Sequence, residues 1–310
     1  MADHQPQTPD RAPADFPRLH DIDYFKERLR AAVERVNAIR PYRLETLGEV
    51  GSEEIFLLAP VQLDPSKPNI MSAGGFHGEE PAGPWGIVEF LETADEETLR
   101  SVNHSFLPLV NPTGFAAASR LNIYGENPNR GFIIELPEVE ATTTGNNRYP
   151  SREGEILMQH FMRLLFLSRD GFITQHEEPD STNGFIFVNE DAPQPSPFGQ
   201  ALLDAMGRHF DLLDEEIEGK DSIKGLIHND RDGSFEGLLV FWGVPRISTI
   251  ETPGLQPAAK RIAAQRELTE TFAKFSAHVS VPPLDLAVDE EEVTEEVDES
   301  TLTVDRAPPE

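Results

Sequence analysis

Between residues 21 and 278, short apolar runs of strand length alternate with longer stretches of helical spacing. That alternation constrains the fold more than any composition figure, because strands separated by helices assemble into a parallel or mixed sheet with helices on both faces. Residues 21–39 show helical spacing through Tyr24, Phe25, Leu29, Ala32, Val33 and Val36, and residues 42–50 and 54–61 read as paired strands about Gly51-Ser52. A strand over 69–75 leads to a helix over about 81–93, where Pro81 suits a first helical turn. Residues 105–110 read as a further strand, followed by a long loop rich in Gly, Asn and Pro. Helices are expected near 152–167, 197–213 and 257–278, alternating with strands at Gly171, Gly184 and Val244. The expected fold class is α/β: one domain on a mixed, mostly parallel twisted sheet, without internal repeats or a second core.

The ends of the chain differ from this middle. Residues 1–16 are polar and proline-rich, and residues 281–310 carry eleven acidic side chains against Arg306 alone. Both read as disordered flanks of a catalytic domain over 17–280. The formal net charge of -29 argues against nucleic acid and anionic lipid as partners, since the protein's field repels both. The chain has no cysteine, so a tightly held transition metal must use His, Asp or Glu. No apolar run approaches the length of a membrane span, and the N-terminus has neither a basic segment nor an apolar one. A cytoplasmic location is expected.

His77-Gly78-Glu79-Glu80 joins the end of the 69–75 strand to the start of the next helix. Alone, His-x-x-Glu equally describes a turn histidine and a carboxylate favoured in a first helical turn. At such a junction, however, an imidazole nitrogen of His77 and a carboxylate oxygen of Glu80 can both reach one Zn²⁺. The best third ligand is His176, which closes the apolar run Gly171-Phe172-Ile173-Thr174-Gln175. Two His and one Glu leave a fourth position for water, which is the pattern of a catalytic zinc site. His77, Asn111, His176 and Glu251 all follow or end strand-like runs, where open α/β sheets bind ligands.

The long loop adds Asn111-Pro112-Thr113-Gly114-Phe115, then Arg120, then Gly125-Glu126-Asn127-Pro128-Asn129-Arg130. In this order with His77, Glu80 and His176, the chain resembles the zinc metallocarboxypeptidases, the relatives of carboxypeptidases A and B, from about residue 69 to 253. The resemblance implies one zinc per chain on His77, Glu80 and His176. It places Asn129 and Arg130 on the substrate's terminal carboxylate and Arg120 on the scissile carbonyl. Glu251, before Thr252-Pro253-Gly254, matches the family's glutamate that takes a proton from the attacking water. The Asn129-Arg130 pair suits a terminal carboxylate because a guanidinium binds one bidentately and the neighbouring amide adds a directional donor.

Departures from the pattern are informative too. His228 falls where the family has a mobile tyrosine, and Phe235, after Gly233-Ser234, falls at the specificity pocket, so an apolar pocket floor is expected. Asn127 stands in place of an aspartate that supports the first zinc-ligating histidine. The expected reaction is removal of a C-terminal residue from a peptide or peptide-like amide. The alternatives are an N-acyl amino acid deacylase of the aspartoacylase and succinylglutamate desuccinylase type, and a non-catalytic zinc- or peptide-binding protein on the same scaffold.

Overall fold

The computed structural model describes residues 18–132, 149–190, 192–214, 222–228 and 233–280. The flanks expected to be disordered, 1–16 and 281–310, lie outside the described residues. Among those described, an eight-stranded sheet runs in the order β1-β2-β4-β3-β5-β8-β6-β7. β1 (Tyr42–Val50) and β2 (Glu53–Pro60) form an antiparallel hairpin, with Gly51 at a positive φ of 65° in its turn. β3 (Asn69–Gly74) lies parallel to both β4 (Asn103–Leu107) and β5 (Gly171–Glu178). β5 in turn lies parallel to β8 (Arg246–Pro253), and β6 (Phe185–Glu190) with β7 (Leu226–His228) completes the far edge. The sheet is thus mixed and mostly parallel in the half that carries the expected ligands.

Period-two alternation divides the sheet's two faces. Ile70, Ile173 and Ile250 pack under α7 (Pro197–Gly207) and α9 (Ala258–Ser276), beside the cluster of α1 (Ile22–Asn37) and α2 (Ala82–Thr93). Met71, Ala73, Phe172 and Ile247 turn the other way, against α5 (Arg152–Gln159), α6 (Phe161–Leu167) and α8 (Phe235–Phe241). The helix starts are written locally. Asp21, Ser151, Ser196 and Ser234 each accept a backbone N–H of the first turn, a contact that stabilises a helix by about 1 kcal/mol.

Several elements differ from the sequence expectation. Part of the loop after β4 is helical, because Asn111 caps α4 (Pro112–Ala117) and Pro112 supplies a favourable first turn. A short α3 (Glu96–Ser101) starts from Asp95, and the single helix expected over 152–167 is two, broken at His160. β7 and α8 were not expected, since neither is long enough to show a period. No helix among the described residues is long and apolar enough to cross a membrane.

Candidate metal centre and active-site cleft

Topology creates the site before any side chain is considered. From β3 the chain crosses to β4 on one side and then returns to β5 on the other. Such a reversal opens a crevice at the carboxyl ends of the strands. His77 lies just beyond β3, and His176 and Glu251 are direct register partners on β5 and β8. Gly78 lets the His77 turn sit against α4. A Cβ there would fall 1.9 Å from the backbone of Gly114, so no larger residue fits.

The ligand atoms converge. One donor atom each from His77, Glu80 and His176 lies within 4.8 Å of the others, and all three residues are buried. Nδ1 of His77 is 2.8 Å from Oε1 of Glu80, and Nδ1 of His176 is 2.7 Å from Oε2. Two imidazole nitrogens facing one carboxylate are the donor set of a divalent transition metal, so the residues fit zinc chemically as well as geometrically. Burial lowers the His77 pKa to about 4, favouring the neutral ring that a metal requires. Burial also opposes charge on Glu80, but the adjacent His77 and His176 outweigh it and hold the carboxylate well below its ordinary range. His176 is discouraged from charging by burial, yet Glu80 and Glu236 prevail and raise it to about 10.

Around this centre is a cleft of about 110 Å³, lined in part by Arg120, Arg130, Glu178, Glu236, Thr249 and Glu251. Arg120 lies 3.2 Å from Glu80, and its side chain remains 41% exposed. It therefore spans the distance between ligand and solvent. Asn127 holds the loop from within: its Oδ1 is 3.2 Å from His77 Nε2 and accepts the backbone N–H of Asn129 at 3.0 Å. Asn129 is buried, its Oδ1 accepting the N–H of Phe235, while the Arg130 guanidinium donates to the Asn129 carbonyl at 2.8 Å. Glu251 borders the cleft. Desolvation raises its pKa well above the usual carboxylate range, and nearby Glu80 and Glu178 add to the shift while His176 and Arg120 oppose it.

The structure thus brings together His77, Glu80, His176, Arg120, Asn129, Arg130 and Glu251 on one cleft. It does not bring His228 or Phe235 there. His228 is exposed at the end of β7, the edge strand. Phe235 is fully buried and packs edge-on to Phe132, Phe161 and Phe172. Its neighbours Ser234 and Glu236 face the cleft instead, because the first turn of α8 sends successive side chains in different directions. Glu236 was not singled out in the sequence. An acidic residue one position after Ser234-Phe235 reads as ordinary first-turn charge, and only contact with His176 and Asn129 distinguishes it.

Comparison with known proteins places this geometry in a lineage. No protein-family model matches the chain, and no curated protein matches it. Among solved structures, a candidate metallopeptidase from Shewanella amazonensis is 38% identical, with TM-score 0.75, covering 83% of this chain and 94% of that one. A second, from Shewanella baltica, is 36% identical, with TM-score 0.76 and coverage of 83% and 93%. A metallo-carboxypeptidase from Pseudomonas aeruginosa shares the fold at 18% identity and TM-score 0.56, covering 81% and 68%. Matched at 38% identity over nearly the full length of that relative, and sharing its fold with the carboxypeptidase, the chain belongs to the metallopeptidase family of the Shewanella proteins.

Proposed function

We propose that this protein is a zinc-dependent carboxypeptidase that hydrolyses the C-terminal peptide or amide bond of a peptide-like substrate. The observation that carries the reading is the coincidence, at one strand-end cleft, of the His77-Glu80-His176 donor set with Glu251 in register beside His176. When bound, Zn²⁺ lowers the pKa of a coordinated water toward about 7 and polarises a carbonyl oxygen. Each protein group then has a distinct task. Arg130, with the Asn129 amide, offers donors to a substrate's terminal carboxylate and so orders the last residue in the cleft. Arg120 presents its guanidinium toward the metal centre, where negative charge develops on the scissile carbonyl. Glu251, with a raised pKa, accepts a proton from the attacking water and returns it to the leaving amine.

A metallopeptidase reading is common to the Shewanella relatives, and one 18% identical structure of the same fold is named a murein-tripeptide amidase from Escherichia coli. The decisive experiment is mass-spectrometric profiling of a mixed library of peptides and N-acyl amino acids with the zinc-loaded protein. Release of single C-terminal residues is expected. Turnover confined to N-acyl amino acids would move the assignment to the deacylase type, and zinc binding without turnover would reduce the protein to a binding role.

A further inference from the structure

Glu236 is 1% exposed and sits at the inner wall of the cleft, on the side of His176 away from Glu80. A carboxylate so deep in a protein needs partners, because burying one unsatisfied carries the penalty of a desolvated ion. Its Oε1 accepts from the Thr174 hydroxyl and, at 3.4 Å, from the Asn129 side-chain amide. Among the described residues, its Oε2 has no hydrogen-bond partner. Nε2 of His176 is equally buried and equally without one, and lies 3.6 Å from Glu236 Oε1. His176 Nε2 thus faces the Glu236 carboxylate across a gap less than 1 Å longer than a normal hydrogen bond, and that carboxylate keeps capacity to accept at Oε2.

The first histidine of the set is held differently. His77 turns Nε2 to the neutral amide oxygen of Asn127. One imidazole therefore has an amide behind it and the other a carboxylate. Metal-ligating histidines depend on this rear contact, which fixes the proton on the far nitrogen and leaves the near one free to bind. We infer that Glu236 is the positioning carboxylate of the metal centre, which holds His176 as a ligand and compensates for the uncharged Asn127 behind His77. The same carboxylate anchors the Asn129 amide, so one buried group sets both the metal ligand and part of the substrate wall. This inference rests on the metal site proposed above.

The test is zinc affinity by chelator competition on the full chain, read alongside unfolding of the metal-free protein. Glu236→Gln is expected to raise the zinc dissociation constant by about 10- to 100-fold, with the metal-free unfolding midpoint unchanged. Adding Asn127→Asp to Glu236→Gln moves a carboxylate behind His77 and is expected to recover most of that affinity. An affinity within twofold of wild type in Glu236→Gln overturns the inference. So does a fall in metal-free stability that Asn127→Asp leaves without recovery of zinc affinity, since Glu236 would then be part of the packing alone. Should Glu236→Gln not fold, Thr174→Val carries the test by freeing Oε1, with a several-fold loss expected and unchanged affinity as the contrary result. Absence of zinc binding by the wild type, or full zinc in His176→Ala, would instead remove the metal site itself and this inference with it.

Discussion

Two groups of buried histidines occupy neighbouring strands of the same sheet and behave in opposite ways. At the strand ends, His77 and His176 share the carboxylate of Glu80, with ring centroids 5.0 Å apart, and open onto the cleft. Inside β4, His104 faces the Ser72 hydroxyl at 2.8 Å and stacks on Phe106 with centroids 4.1 Å apart, under Phe90 and Phe272. All three histidines are nearly inaccessible. The difference lies in what else can approach: mid-strand positions are roofed by helices on both faces, whereas strand ends meet loops that supply carboxylates and admit a ligand. Burial holds His104 uncharged, whereas at the strand ends the carboxylates of Glu80 and Glu236 reach His176 and reverse that effect.

If that distinction is right, the largest effect comes from removing a strand-end imidazole. His176→Ala is expected to lose zinc and turnover together, checked by metal analysis of the purified protein. A full equivalent of zinc in that variant would put the ligands elsewhere.

Next in size is Glu251→Gln, which keeps the shape of the side chain but removes its basicity. Zinc content and unfolding midpoint should hold while kcat falls by about 10²- to 10⁴-fold, the usual worth of a positioned acid–base group. Near wild-type kcat would assign proton transfer to another residue, with Glu178, which also lines the cleft, the next carboxylate to try.

Arg130→Ala is expected to raise KM for substrates with a free C-terminal carboxylate by about 10- to 100-fold, corresponding to roughly 1.5–3 kcal/mol for a charge-assisted bond. Amidated versions of the same peptides should be nearly indifferent. Equal losses on both would show that Arg130 shapes the loop through the Asn129 carbonyl rather than gripping substrate.

The His104 variant gives the most selective effect, one that leaves neutral-pH function untouched. Burial depresses the His104 pKa from 6.5 to about 3, so between those values the unfolded chain holds a proton that the folded chain lacks. Its contribution to stability is whole above pH 6.5 and declines as the pH falls toward 3, by up to about 1.4 kcal/mol per pH unit. His104→Gln is expected to flatten this part of the acid limb in urea unfolding at stepped pH, with zinc content and kcat at neutral pH unchanged. Parallel stability curves for variant and wild type would mean that other groups govern the acid response.

Much of this organisation was legible in the residues because the interactions that encode it are local. Asp21 caps α1 three residues before Tyr24, and the β1–β2 hairpin turns on Gly51, so short windows contain both the cause and the effect. The same is true of His77 and Glu80, which lie one turn apart. α4 is locally written as well, in Asn111-Pro112, but the loop-forming residues that surround it mask that signal.

What the residues by themselves determined is therefore the α/β class and the His77-Glu80 turn at the end of a strand. Only the tertiary structure decided that His176 stands in register with Glu251 and that Phe235 enters the aromatic core while Glu236 faces the cleft. Those outcomes join segments that are from 60 to more than 100 residues apart, as in the bonds from Glu236 to Thr174 and from Phe235 to Asn129. A short sequence window carries the preference of each side chain for burial or for a helix turn. Which partner satisfies it is settled when the strands pair and the chain reverses direction across the sheet.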